Sequence, residues 1–450
     1  MLSRLGLAVL ALALLLPSAG SLAPAVPAAP LGSSGEVPTE IIVAFKGAIP
    51  GDADTWAQTQ GGALLMRDDV LHWISLGFPD QLAADRALQA ARLRADVRHA
   101  EHDGYTSVAF VPNDPLYGSQ WGWPAISAPA AWDLQRGSHA VKVAVIDTGI
   151  DFTHPDLQAN LCGPDISFVP SEPTAQDGFG HGTHVAGTIA AVTNNGAGVA
   201  GTSGSCLMAV KALARSGGGQ WSWAAAAIRW AADNGADIES MSFGGSLQGI
   251  LGSGSPLIVS DAVNYAYVQK GVLLVVAAGN SGCNGLSTVI APAIYDVSIA
   301  VAALTNPGAG VAGFSSCGPK VEIAAPGAGV LSTLPACTGG IALCSNSRYG
   351  SLDGTSMATP HVSGVAALLY AQHAGITNYE ARCILDLTAT DLGTAGKDIS
   401  TGWGRVDALK ALQLDAQLAS LGAHVAADGA CLAGQVALGW AGGMPSTPSP

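Results

Sequence analysis

From Val141 onward, short apolar runs alternate with alanine-rich stretches, and no other feature constrains the fold as strongly. The runs are VKVAVI (Val141–Ile146), LMAVKAL (Leu207–Leu213), IESMSF (Ile238–Phe243) and VLLVVAA (Val272–Ala278). Between them, Ser222–Asn234 and Ser260–Gln269 read as helices. Apolar strands of this length need cover on both sides, and intervening helices supply it, so the pattern predicts an α/β fold: a mostly parallel central sheet with helices on both faces. Sites in such folds lie at the carboxyl ends of the strands. The composition is 49% hydrophobic and 12% charged with 58 glycines, which suits buried strands and tight turns and excludes a coiled coil or a charge-rich disordered chain. The net charge of −14, without a Lys/Arg block, argues against a nucleic-acid partner.

Upstream the sequence changes character. Arg4 precedes an apolar run from Leu5 to Leu16, followed by small residues including Ala23-Pro24-Ala25. That is the pattern of a secretory signal peptide, assigned to residues 1–25, because the run is too short to span a bilayer that needs roughly twenty residues. The expectation is a secreted, extracellular protein without a membrane segment after signal removal, in a disulfide-permissive compartment. Residues 26–38, rich in Ala, Pro, Gly and Ser, read as a linker. Residues 39–110 read as a small α+β module, with a strand at Glu40–Phe45, a helix at Asp80–Arg94 and extended pieces such as Ser107–Val111. The main domain is expected over 111–413 and a tail over 414–450, ending in GGMPSTPSP. Eight cysteines all follow the module, and Cys337 with Cys344 is the easiest local closure.

Three polar residues stand where strands or turns open into helices. Asp147 follows VAVI and precedes Thr148-Gly149, His181 lies in GHGTHVAGTIAA, and Ser356 lies in DGTSMATPHVSG. Taken singly, each has a plain structural explanation: an Asx-turn, a packed helix-start histidine, a helix N-cap. Together they supply the three roles of nucleophilic catalysis by a hydroxyl, namely an acid to orient a base, the base itself and the nucleophile. Asn280 in VVAAGNSG adds an amide able to donate to a developing oxyanion.

With these stretches, and with MSFGG, FSSCGP and IAAPG in the same order, the chain resembles the subtilisin-like serine proteases, nearest the subtilisin/thermitase branch. The resemblance implies that Asp147 orients the base, His181 is the general base and acid, Ser356 is the nucleophile, and Asn280 forms the oxyanion hole with the Ser356 N–H. It implies that protein and peptide substrates lie between two extended edges, Gly217, Gly218 and Gly219 on one side and Ser242, Phe243 and Gly244 on the other, with Ala278 and Gly279 nearby. Ile290 stands where many members have Gly at the base of the first specificity pocket, which predicts a shallow pocket favouring small or medium apolar residues. Ser240 replaces a usual Asn. The module over 39–110 corresponds to an inhibitory pro-domain, an intramolecular inhibitor removed autocatalytically by a cut between about Asp103 and Asn113. The enzyme is expected to be a monomer.

The resemblance also implies structural calcium, with side-chain ligands Asn195 and Asp156, carbonyls of Thr193, Ala197 and Val199, and a further carboxylate from Asp114; oxygen donors suit a hard cation. It suggests bridges Cys283–Cys317, Cys162–Cys206 and Cys383–Cys431. An acid peptidase of the sedolisin type is disfavoured by His181 at the base position. An inactive peptide-binding scaffold is disfavoured by four intact catalytic positions, and a structural cell-surface role by the short, featureless tail.

Overall fold

The computed structural model describes residues 36–104, 110–245, 256–283, 287–420, 423–425 and 438–440, in two compact units divided between Tyr105 and Thr106. The expected signal segment, the Ser107–Ala109 part of the expected extended piece, Cys431 and the GGMPSTPSP end lie outside the described residues.

The first unit is a four-stranded antiparallel sheet in the order β2-β3-β1-β4. Its strands are β1 (Glu36–Phe45), β2 (Ala63–Asp68), β3 (Trp73–Gly77) and β4 (Val97–Gly104), and its helices α1 (Ala53–Thr59) and α2 (Gln81–Arg92). Ile41, Val43 and Phe45 alternate inward from β1 against Ala84, Leu88 and Ala91 of α2. Asp80 does not enter the helix but caps it, accepting from Ala83 N–H at 2.8 Å. The strand β1 begins at Glu36, so the last three residues of the expected linker belong to the sheet.

The second unit is built on an eight-stranded sheet in the order β11-β10-β9-β8-β5-β7-β6, with β12 pairing β10. Two short helices, α3 (Gly122–Ala125) and α4 (Ala128–Leu134), precede β5 (Lys142–Asp147) and β6 (Ile166–Ser167). Then follow α5 (His181–Ala190), β7 (Cys206–Lys211), α6 (Trp221–Asp233), β8 (Ile238–Met241), α7 (Leu257–Asn264), β9 (Leu273–Ala277) and β10 (Ser298–Thr305). The chain continues through β11 (Gly310–Val311), β12 (Val321–Pro326), β13 (Val330–Thr333), β14 (Tyr349–Leu352), α8 (Thr355–Gln372), α9 (Asn378–Thr388) and α10 (Ala408–Ser420). Pairings from β6 to β9, and of β10 with β9 and β12, are parallel, as the strand–helix alternation requires. Period-two alternation splits each strand between two cores. Val143 and Val145 face a cluster with α5, α8 and α10, while Ala144 and Ile146 face one with α6 and α7.

Three predicted bridges close, Cys162–Cys206, Cys283–Cys317 and Cys337–Cys344, with Cα separations of 5.4, 5.2 and 5.0 Å. The expected tail boundary at 413 shifts, because α10 runs to Ser420. Asp415 is buried there, paired with His373 at 2.9 Å and accepting from Gln372 at 2.7 Å. One residue breaks the apolar pattern of the sheet. Glu239 on β8 is fully buried between Ala144 and Leu274, and neither carboxyl oxygen has a partner among the described residues. Burial pushes this carboxyl well above the usual range, which favours its neutral form.

Candidate active site

Strand β5 is where the sheet order turns: β7 lies on one side of it and β8 on the other, and the crevice opens at their carboxyl ends. Asp147 closes β5 with no exposed surface, accepting from its neighbour's Thr148 N–H at 2.7 Å. Its oxygens lie 2.8 and 3.0 Å from His181 Nδ1, the first residue of α5. This contact fixes the ring so that Nε2 is left for chemistry. Burial disfavours the imidazolium, but the Asp147 carboxylate, its hydrogen bond and the charge of Asp177 outweigh it and raise the His181 pKa.

The turn before α5 is ordered by Asp177, which sequence reasoning missed. It is buried and accepts from Thr148 Oγ1 (2.9 Å), Phe179 N (2.9 Å), Gly180 N (2.8 Å), Thr183 N (3.0 Å) and Thr183 Oγ1 (2.6 Å). A carboxylate at this helix start also opposes the positive end of the helix dipole. The available signal was an Asp-Gly step in the turn ahead of the helix-opening histidine, a residue type that accepts hydrogen bonds from the backbone just after it. Gly180 has φ of +107°, and a side chain there would collide with the Leu343 carbonyl, so glycine is required.

Ser356 is the second residue of α8. Its hydroxyl donates to the Ser242 carbonyl at 2.8 Å, and Ser242 Oγ donates back to the Ser356 carbonyl at 2.8 Å. His181 and Ser356 line one cleft, with Ser356 turned to the end of β8 rather than to the imidazole. Asn280 follows β9 and is exposed; its Oδ1 accepts from Thr355 N at 2.9 Å and Thr355 Oγ1 at 3.0 Å. The oxygen being occupied, the amide presents Nδ2 as a donor beside the start of α8.

The rest of the cleft is lined by Thr148, Phe179, Leu213, Gly217, Ser242, Phe243, Gly244, Gly279 and Ile290, with a cavity of about 360 Å3. Ile290 fills the space between Gly244 and Gly279, where a Cβ on either glycine would press its side chain. Of the other expected lining residues, two lie beside the cleft and one behind it. Gly218 and Gly219 are exposed just past Gly217, after a turn at Ser216 and Gly217 closed by Ala214 N to Gly218 O at 2.8 Å. Ala278 is wholly buried behind the wall, its carbonyl accepting from Ile290 N at 3.2 Å. Ser240 faces α8 and accepts from Ser363 Oγ at 2.9 Å, away from the reacting groups.

Asp114 and Asp156 meet at the loop over 193–199. Asp114 accepts from Asn194 N at 2.7 Å and Asn195 N at 3.3 Å, and Asp156 accepts from Val199 N at 3.0 Å and Asn195 Nδ2 at 2.7 Å. Both carboxylates are buried and neither has an ion-pair partner among the described residues. Burial, aided by Asp114, pushes the Asp156 carboxyl up to about 6. The carbonyls of Thr193, Ala197 and Val199 accept no hydrogen bond among the described residues. Asn195 departs from expectation by turning its nitrogen to Asp156 and its oxygen to Ala197 N–H at 2.8 Å. Buried carboxylates with hydrogen-bond donors but no cationic partner among the described residues, beside free carbonyl oxygens, fit a hard cation.

This geometry agrees with comparisons to known proteins. Residues 138–404 match the model of the Subtilase family. The chain is 43% identical over 308 residues to thermitase of Thermoactinomyces vulgaris, covering 68% of this chain and all of that protein. It is 36% identical over 375 residues to a thermophilic serine proteinase of a Bacillus species, covering 83% of this chain and 87% of that protein. Among solved structures, a protease from Pseudoalteromonas arctica aligns with a TM-score of 0.58 at 33% identity, covering 68% of this chain and all of that one. With the strand order, the crevice at β5 and more than half of the chain in agreement, this protein belongs to the subtilase family and is a subtilisin-like serine endopeptidase.

Proposed function

We propose that the protein is a secreted, autoprocessed endopeptidase acting through Asp147, His181 and Ser356. The observation that carries this reading is the Asp147–His181 contact opening onto the cleft that also holds Ser356 and the Asn280 amide. Rotation of the Ser356 hydroxyl from Ser242 toward His181 Nε2 begins the reaction. The serine oxygen attacks the substrate carbonyl as His181 takes its proton, and Asp147 stabilises the imidazolium. Charge on the former carbonyl oxygen is met by Asn280 Nδ2 and the Ser356 N–H. His181 returns the proton to the leaving amine; water, deprotonated by His181, then attacks the acyl-enzyme carbonyl, the Ser356 Oγ–acyl bond breaks, and His181 returns the proton to Ser356 as the carboxylic acid product leaves.

Ile290 supports a preference for small or medium apolar residues before the cut, and a cleavage profile dominated by Phe or Tyr would refute it. The first unit acts as the intramolecular inhibitor removed on maturation. Asp114, Asp156 and the loop carbonyls of Thr193, Ala197 and Val199 would hold calcium, whose charge offsets the two buried carboxylates. The decisive experiment compares wild type and Ser356→Ala on casein with a serine-reactive inhibitor. Hydrolysis lost in the variant and blocked by the inhibitor is expected; equal hydrolysis by both proteins overturns the assignment.

A further inference from the structure

We propose that Phe110 is the first residue of the mature enzyme and that the α-ammonium group freed there pairs with Asp133. The inference rests on the reading that the first unit is removed by proteolysis. Phe110 N–H already donates to Asp133 Oδ1 at 2.7 Å. The Phe110 ring meets Trp132 of α4 edge-on at 6.2 Å, and the Arg136 guanidinium lies 4.0 Å above it. Arg136 is itself held, its Nε donating to the Trp132 carbonyl at 2.9 Å. Backbone nitrogen and side chain are thus both docked, although no secondary structure includes Phe110.

Everything just downstream is tied to the catalytic unit. Asn113 N donates to Asn194 Oδ1 at 3.2 Å, Gly196 N donates to Asn113 Oδ1 at 2.7 Å, and Leu116 N donates to the Gly198 carbonyl at 2.8 Å. A cut beyond Phe110 would therefore loosen the segment that delivers Asp114 to the loop. Upstream, β4 of the first unit ends at Gly104. Val108 and Ala109 both suit the small-to-medium apolar preference proposed from Ile290, and of the bonds that follow them only the one after Ala109 leaves the docked Phe110 nitrogen as the new terminus. Hydrolysis there adds one water across the Ala109–Phe110 peptide bond, leaving a carboxylate on Ala109 and an amine on Phe110 that takes up a proton. An amide N–H donating to the Asp133 carboxylate becomes an ammonium–carboxylate pair at an atom already in place. The clamp stabilises the cut form over its precursor and holds the Asn113–Asp114 segment against its loop.

Intact mass and N-terminal sequencing of the secreted wild type read the position, with Phe110 expected as the first residue. A stable terminus at Val111 or beyond, or upstream of Phe110, overturns the proposal. Asp133→Asn reads the ion pair when melting is compared in the mature enzyme and in the unprocessed Ser356→Ala precursor. The mature form should lose about 2–4 °C more than the precursor near pH 7. Pairing raises the amine's pKa above its unfolded value of about 7.7–8.0, so the stabilisation is present below that value and lost as pH rises through the folded one. The excess loss should therefore vanish above roughly pH 10. Other charged or titratable groups around Phe110 are Arg136, charged throughout, and His139, held by Asn160 Oδ1 at 2.7 Å. Equal losses in both forms sink the ion pair, whereas a wild type that is never cut defeats the processing reading beneath it.

Discussion

Two regions of one sheet treat buried carboxyl groups in opposite ways. At the carboxyl ends of the strands, Asp177 is 2% exposed and gathers five hydrogen bonds, while Asp147 is fully buried against His181. Midway along β8, Glu239 is as deeply buried with no hydrogen bond to either oxygen among the described residues. Burial pushes the carboxyls of Asp177 and Glu239 up; hydrogen bonds oppose the shift in Asp177, and nothing opposes it in Glu239. A buried acid with partners organises its surroundings, and one without them is a local cost that the rest of the core offsets.

The largest expected effect probes the partnered end. Asp147→Asn should lower kcat by about 10⁴-fold with little change in KM, because the base loses the partner that sets its tautomer. A loss below tenfold in steady-state peptide hydrolysis would break the assignment. Removing the donor, Asn280→Ala, should cost about 10²–10³ in kcat.

Asp177→Ala, made in the Ser356→Ala background to prevent autolysis, strands buried donors of Thr148, Phe179, Gly180 and Thr183. It should destabilise the unit by about 3 kcal/mol, a Tm fall of roughly 6–12 °C by calorimetry. Glu239→Leu should do the reverse, raising Tm by roughly 2–6 °C at pH 8. The sign follows from proton uptake: the folded state keeps the Glu239 proton while the unfolded chain releases it above about pH 4.3, so wild-type stability falls as pH rises and the gain should shrink at pH 4. A variant less stable than wild type at pH 8 would erase the contrast between the two regions.

Asp156 lies between these extremes. Without a cation its carboxyl, raised to about 6, weakens the fold as pH climbs from the ordinary carboxylate range through 6. Calcium should therefore raise Tm, and more at pH 7 than at pH 5; an EDTA-insensitive melt at pH 7 counts against the site. The smallest effect concerns His181: its raised pKa places the acid limb of kcat/KM above the usual imidazole value of about 6.5.

Legibility followed the strength of local signals. The four named runs of the main sheet are strands within one or two residues of their predicted bounds, because continuous apolar runs flanked by turn residues leave few alternatives. The strand β2 escaped notice, since Leu64, Leu65 and Met66 are exposed together and show no inward-outward alternation. Asp177 escaped for a different reason: its five donors come from Thr148 and from the turn and first residues around α5, and only folding brings them together.

The sequence by itself determined the α/β layering and singled out Asp147, His181 and Ser356 as the candidate trio, because both are written in local runs: apolar strands, and Asp, His and Ser in glycine-bearing turns. Tertiary structure alone decided that Ala278 is buried behind the cleft wall, that Asn280 is locked by Thr355, and that Glu239 is stranded without a partner among the described residues. Those outcomes depend on groups far apart in the chain meeting at short range, where hydrogen bonding and desolvation act over a few ångströms and sequence spacing carries no information.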